Sequence, residues 1–189
     1  MADIENGKII YKSGGEKEVL YGTEKIGTRE YIRCTDIAQI ILPRSVTAIC
    51  SRAFWACKGL TSIKITVGLK SIGTWAFGLC QSLEEIDIPE SVTEIGASAF
   101  GICSSLRRAS LRASAEGISV LCFHMCQSLE EISISKSVKE IGEYAFFGCK
   151  ALKDVFYEGS EEDWRKIKIG KANDDLEKAA IHYNCKFGG

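Results

Sequence analysis

The sequence predicts an α/β right-handed solenoid, horseshoe-like, of about six 23-residue rungs. A parallel sheet is expected on the concave face, with short extended or 3-10 turns on the convex side. Three observations predict it. First, residue types recur at one interval: Phe54, Phe77, Phe100, Phe123 and Phe146 are each 23 apart, and Cys57, Cys80, Cys103, Cys126 and Cys149 keep the same step. Leu60, Leu83, Leu106, Leu129 and Leu152 make a third column, and Ile49, Ile72, Ile95, Ile118 and Ile141 a fourth. Second, each period contains a short alternating stretch, in which Ile86 and Ile88 face inward while Glu85 and Asp87 face out. Third, 189 residues with 46% hydrophobic content hold one sizeable core. A single 23-residue unit cannot bury its apolar side, so the units must stack.

The elements follow in chain order. Lys8–Lys12 and Lys17–Tyr21 flank Ser13–Glu16 and read as a β-hairpin cap over residues 1–19, its second strand joining the stack as first rung. The repeats occupy 20–157, their register starting in weaker form at Ile26, Gly27, Tyr31, Cys34, Ile37, Ile40 and Leu42. In the clearest copy a strand follows Leu83, Pro89 ends it, and Val92 to Ile95 is a second extended piece that Gly96 turns. Ala99–Cys103 is too short for a helix and is expected to form a helical or 3-10 turn. Neighbouring strands should lie about 4.8 Å apart. Residues 158–189 read as a polar cap. Ser160 is its N-cap with Asp163 three later, Trp164 and Ile167 give a short amphipathic helix, and residues 179–184 return as a last strand.

These repeated residues, with the core I-G-x-x-A-F-x-x-C-x-S-L, resemble the BspA-like, or Treponema-type, leucine-rich repeat over about Leu20 to Tyr157. Some copies depart from the pattern. Thr66 stands at the proline position and Cys50 at the glycine, and the unit from Leu106 to Cys126 carries Arg112, Ala115, Ser119 and Cys122 in place of proline, valine, glycine and alanine. The resemblance implies a protein-interaction domain of the adhesin or host-interaction type, at the cell surface or secreted. Met1–Lys12 shows no apolar signal-peptide core, and nine cysteines suit a reducing compartment, so an intracellular cytoplasmic scaffold is the alternative.

Composition narrows the partners. With 24 Lys+Arg against 25 Asp+Glu, the net charge of -1 disfavours nucleic acid, and no apolar run reaches the ~18 residues of a membrane span. A monomer with a protein ligand is expected.

Chemistry is sparse. Cys34 and the five cysteines of the column would stack one per rung, and side chains pointing the same way make poor disulfide geometry. Each is read as a small buried hydrophobe that bonds a backbone carbonyl, while Cys50, Cys122 and Cys185 lie off the column. His124 sits near Cys122 and Cys126, but at the variable position held elsewhere by Trp55, Gly78, Gly101 and Phe147, and no third orienting group accompanies it. No phosphate loop, dinucleotide motif or calcium loop occurs. The expectation is no enzyme, with no catalytic, cofactor-binding or metal residues; a thiol- or metal-dependent enzyme is the weakest reading.

The candidate partner-binding residues are Lys64, Glu85, Asp87, Arg108, Arg112, Glu131 and Phe156, which project from the concave face. Their rival role is charge pairing between rungs. An alternative site is the aromatic flank of Trp55, Trp75, Tyr144 and Phe147, open to protein or glycan or used to seal gaps between rungs.

Overall fold

The structure, a computed structural model, describes residues 6–185, so the expected caps over 1–19 and 158–189 extend at their outer ends beyond the described residues. The chain runs β1 (Gly7–Tyr11), β2 (Glu16–Val19), β3 (Lys25–Ile26), β4 (Ile37–Ile41), β5 (Ala48–Ile49) and β6 (Ser62–Lys64). It continues with β7 (Ser71–Ile72), β8 (Glu85–Ile88), β9 (Glu94–Ile95), β10 (Arg108–Leu111), β11 (Gly117–Ile118) and β12 (Glu131–Ile134). Then come β13 (Glu140–Ile141), β14 (Asp154–Tyr157), α1 (Glu161–Trp164), β15 (Lys168–Ile169), α2 (Asp174–Glu177) and β16 (Ala180–His182).

Together they form a parallel β-solenoid of about seven turns with little helix. The expected count of about six falls short because the C-terminal segment builds a further turn. Among the described residues, helix is confined to two four-residue pieces in that segment. The long strands form one face, in the orders β2-β1-β4-β6 and β16-β14-β12-β10-β8, and the two-residue strands form a second, β3-β5-β7-β9 and β11-β13-β15. Alternation sets which side chains enter: β8 buries Ile86 and Ile88 and exposes Glu85 and Asp87.

The third side is made of turns. In each rung two residues, one on either side of the phenylalanine, adopt the left-handed region: Arg52 and Ala56, Trp75 and Leu79, Ser98 and Ile102, Leu121 and Met125. That conformation costs a non-glycine residue about 1–2 kcal/mol. Alternating hands aims alternate N–H groups at the next rung, so Arg52, Phe54 and Ala56 donate to Thr74, Ala76 and Gly78 at 2.9, 2.9 and 2.8 Å. The intervening N–H groups close i to i−3 turns, as Trp55 to Arg52 at 3.1 Å. The expected 3-10 turn thus keeps its short-range bonds but not its helical path. Three inter-rung bonds at about 0.5–1.5 kcal/mol each roughly offset the two strained residues. Burial of the ring then supplies the surplus, about 1.5–3 kcal/mol per side chain.

Tyr31, Phe54, Phe77, Phe100, Phe123 and Phe146 form that buried column. Adjacent rings lie 5.3 to 5.6 Å apart and within 13° of parallel. Beside it five of the six column thiols are buried and bonded to a carbonyl as expected, while Cys34, in the first rung, is only half-buried and makes no such bond among the described residues. Cys80 Sγ donates to Phe54 O at 3.3 Å, and Cys57, Cys103, Cys126 and Cys149 repeat the contact at 3.0 to 3.2 Å. Each phenylalanine carbonyl also accepts the cysteine N–H of its own rung, as Phe77 O accepts Cys80 N at 3.2 Å. A small apolar side chain with one weak donor fits this place. Burial pushes the thiols of Cys57, Cys103 and Cys149 up to about 12, and raises those of Cys80, Cys122 and Cys126.

The divergent unit opens one side. A Cβ on Gly96 or Gly142 would lie 2.4 or 2.5 Å from a backbone nitrogen of the preceding rung. Ser119 holds that column position in the divergent unit, and there the short-strand ladder is interrupted between β9 and β11, which pair with β7 and β13 but not with each other, whereas Cys50 at the same position leaves β3 and β5 paired. The Ser119 hydroxyl donates to Ile95 O, where Gly96 and Gly142 donate their backbone N–H to the rung before.

Both ends differ from simple repeats. At the N-terminus the first hairpin strand joins the stack, a correction to the expected second strand: β1 pairs antiparallel with β4, and β2 lies outside it. The cause is composition. β1 carries Ile9, fully buried, whereas Glu16, Lys17 and Glu18 of β2 are exposed, as suits a sheet edge. At the C-terminus Ser160 caps α1 in a reciprocal capping box with Asp163, as expected. β15 then continues the short-strand side against β13, and β16 continues the long-strand face against β14. On the turn side, side chains replace the next rung's carbonyls: Phe146 N–H donates to Asn173 Oδ1 at 3.0 Å and Gly148 N–H to Asp175 Oδ2 at 2.9 Å. Asn173 is buried, and its Nδ2 donates to Gly142 O and Gly170 O at 3.0 and 2.8 Å.

Three outcomes are expected. Phe100→Ala should cost about 3–5 kcal/mol in urea denaturation, the cost of a core cavity; a loss under about 1 kcal/mol would contradict the buried column. Asn173→Ala should cost about 1–3 kcal/mol, since it strands the Phe146 N–H at the end of the column, and an unchanged urea midpoint would show that Asn173 caps nothing. The buried thiols give stability a pH sign. The folded state keeps protons that the unfolded chain loses above the ordinary thiol value of 9.0, so stability is complete below about pH 9 and falls as pH rises toward 12. A urea midpoint that is flat or rising above pH 9 would contradict this.

Candidate interaction surfaces

The outward-facing side chains of the long strands, exposed or half-buried, form two rows. One reads Glu85, Arg108, Glu131, Asp154, and the other Asp87, Ser110, Ser133, Phe156, in register from β8 to β14. Lys64 is exposed on β6, two strands before Arg108. All seven strand-face candidates therefore lie on one face or, for Arg112, at the residue after β10. Their charges are partly spent on one another. Arg108 pairs with Glu85, and Arg112 forks onto Asp87 with its Nε 3.0 Å from Oδ1. These groups are about half exposed, so each pair is worth only ~0.2–1 kcal/mol. Glu131 faces Arg108 across the ladder but forms no ion pair among the described residues.

The row ends in a cluster that sequence reading did not single out. Phe156 stacks on His182 at 4.9 Å and 17°, and His182 Nε2 lies 2.7 Å from Asp154 Oδ1. His182 comes from β16, outside the repeat register, so no spacing in the sequence announces it.

The four flank aromatics fall into two pairs. Tyr144 and Phe147 contact edge to face at 5.9 Å in the last repeat and are 41% and 47% exposed. Trp55 and Trp75 lie over Gly78, whose Cβ, were it present, would meet the Trp75 ring at 2.3 Å and Trp55 at 3.2 Å. His124 crosses Gly101 to meet Trp75 edge on at 5.4 Å, with its Nδ1 2.7 Å from Leu121 O. That engagement is a packing role, on the outside of the turn whose inner side buries Cys122 and Cys126. The tryptophans line a cleft of about 410 Å³ with Arg29, Ile32, Arg33, Arg52 and Leu79. The sequence reading missed these arginines. They sit at the two left-handed columns flanking the ring, and reading those columns copy by copy would have found them.

Among the described residues no helix is long and apolar enough to cross a membrane, and no group of three or more metal-ligating side chains gathers. All nine cysteines are free.

The chain is similar to several solved bacterial proteins. A leucine-rich cell surface protein of Faecalibacterium prausnitzii is 28% identical over 85% of this chain and 40% of its own, with a TM-score of 0.57. The leucine-rich repeat protein of T. pallidum is 26% identical over 68% of this chain and 71% of its own, with a TM-score of 0.52. The pneumococcal vaccine antigen PcpA is 28% identical over 67% of this chain and 31% of its own, with a TM-score of 0.54. The chain thus spans less than half the length of the first and third of these. No curated protein sequence matches it. The BspA type leucine-rich repeat region matches residues 24–153 in six copies, over the columns described above. The chain belongs to the BspA-type leucine-rich repeat family.

Proposed function

We propose that this chain is a non-catalytic protein-binding module of a surface-displayed protein, and that its long-strand face docks the partner. One observation carries the reading: the stack holds its repeated residues inside and displays on this face a row that changes from rung to rung, ending in the stack of half-buried Phe156 on exposed His182. Repeat scaffolds bind through such extended faces, with specificity set where rungs differ. Aromatic and arginine side chains supply the energetic anchors, here Phe156 with Arg108 and Arg112, while Lys64, Asp87, Glu85 and Glu131 set the charge pattern around them. Surface display is supported by similarity to a named cell surface protein and to a vaccine antigen.

A second reading, an intracellular scaffold, is favoured by the nine unpaired thiols, which suit a reducing compartment. Both readings use the same face.

The test is binding to a partner isolated from the native source, compared between two pairs of variants, each checked by thermal melting. Arg108→Glu with Phe156→Ala should weaken binding by tenfold or more, on the order of one or two interface anchors. Trp55→Ala with Trp75→Ala should leave that partner bound. The reverse pattern would move the docking surface to the flank.

A further inference from the structure

Beyond the strand face, we infer a second and separate binding site in the arginine–tryptophan cleft on the turn side, built for an acidic peptide segment that carries one apolar anchor side chain. The inference rests on reading the chain as a binding module but not on the strand face.

The cleft is lined by Arg29, Ile32, Arg33, Arg52, Trp55, Trp75 and Leu79. Its volume, about 410 Å³, lies within the ~300–1,000 Å³ range of ligand sites. Three properties define its occupant. The first is charge. Arg29, Arg33 and Arg52 are exposed and form no ion pair with any described residue, in a chain whose net charge is only -1. Glu30, the carboxylate beside Arg29 in sequence, turns away to accept the Gly27 N–H at 2.6 Å. On the strand face the arginines have found carboxylates; here they have not. Three planar forks around one cleft match carboxylate oxygens, which they bind in bidentate fashion.

The second property is the floor. Trp55, Trp75, Ile32 and Leu79 are partly buried and apolar, and the Arg33 guanidinium lies 5.3 Å above the Trp55 ring, which fixes its direction. A floor of this kind takes an aromatic or aliphatic side chain. The third is what the lining leaves out. None of its side chains is a carboxylate or amide, so a sugar's hydroxyl donors would find no side-chain acceptor. An occupant with an apolar centre and anionic edges satisfies every group, and a saccharide does not.

The residues also sit where the backbone alone would not put them. Arg29, Arg33, Arg52, Trp75 and Leu79 all occupy left-handed positions, φ 56 to 62°, for which glycine or asparagine is the easier choice. In the later rungs the same columns hold Ser98, Ile102, Leu121, Met125, Tyr144 and Gly148, so arginine stands at these positions only in the first two rungs, around the cleft.

The test uses the whole chain carrying Trp164→Phe, so that tryptophan fluorescence reports only Trp55 and Trp75. The probe is an acetylated, amidated pentapeptide with one phenylalanine between two pairs of glutamates. Saturable quenching or enhancement is expected, weakening as salt rises. Arg29→Gln with Arg52→Gln, both exposed and so harmless to the fold, should weaken the probe about tenfold, the loss of a charge-assisted bond. Arg108→Gln on the strand face should leave its affinity unchanged, so failure here and failure of the strand-face reading are separate results. The proposal is overturned by any of four outcomes: no saturable response, equal binding of the probe with alanine for phenylalanine, tighter binding of a heparin oligosaccharide through the same arginines, or loss of binding in Arg108→Gln.

Discussion

Each rung leaves one row of main-chain N–H groups and one face of an aromatic ring uncovered, and only another rung can cover both. This dependence governs the whole molecule. The left-handed residues beside every phenylalanine make no sense within a single rung, where they only add strain. In the stack they turn three N–H groups toward the neighbour, and the parallel rings close over them. The cysteine column belongs to the same arrangement, because its thiols take the second lone pair of the carbonyls that the turns leave half used. What looks in the sequence like a redox or metal ladder is a set of weak donors in a tight apolar place.

The same dependence explains the caps. A stack that ended on a repeat would expose all three bonded sides at once. The C-terminal segment answers each side with what lies at hand: β15 and β16 supply main chain, and Asn173 and Asp175 supply side-chain oxygens. At the other end β1 covers the first long strand antiparallel, and the charged strand β2 lies on the outer edge, where added pairing is disfavoured. Inside the stack the divergent unit parts β9 from β11, where the Ser119 hydroxyl takes the Ile95 carbonyl, whereas Cys50 in the same column leaves β3 and β5 paired; the ring column runs on through Phe123 without a break.

The interval of 23, the inward and outward alternation of the strands, the buried phenylalanines and the structural thiols were all legible in the sequence, because each is set by residue type at a fixed place. Asn173 was not, since an asparagine that imitates a carbonyl looks like any loop asparagine until the rung it completes is built. The order of the N-terminal hairpin was misread because both strands carry charges, and burial of Ile9 against the stack decides between them. On the surface, the row of strand-face candidates was legible and the pairing of Arg108 with Glu85 and Arg112 with Asp87 was anticipated only in kind. The arginine cleft was hidden because its residues come from three rungs and share no motif, only three columns of the repeat.

The central claim is that the turn side is a bonded ladder between rungs and not a row of independent turns. Amide hydrogen exchange tests it most directly, residue by residue, at Phe54, Phe77, Phe100 and Phe123, whose N–H groups each donate to the following rung. The account predicts protection equal to that of the long strands β8 to β12, highest at Phe77 and Phe100 and lower toward the ends. Exchange at those four amides as fast as in exposed turns, with the strands still protected, would contradict it.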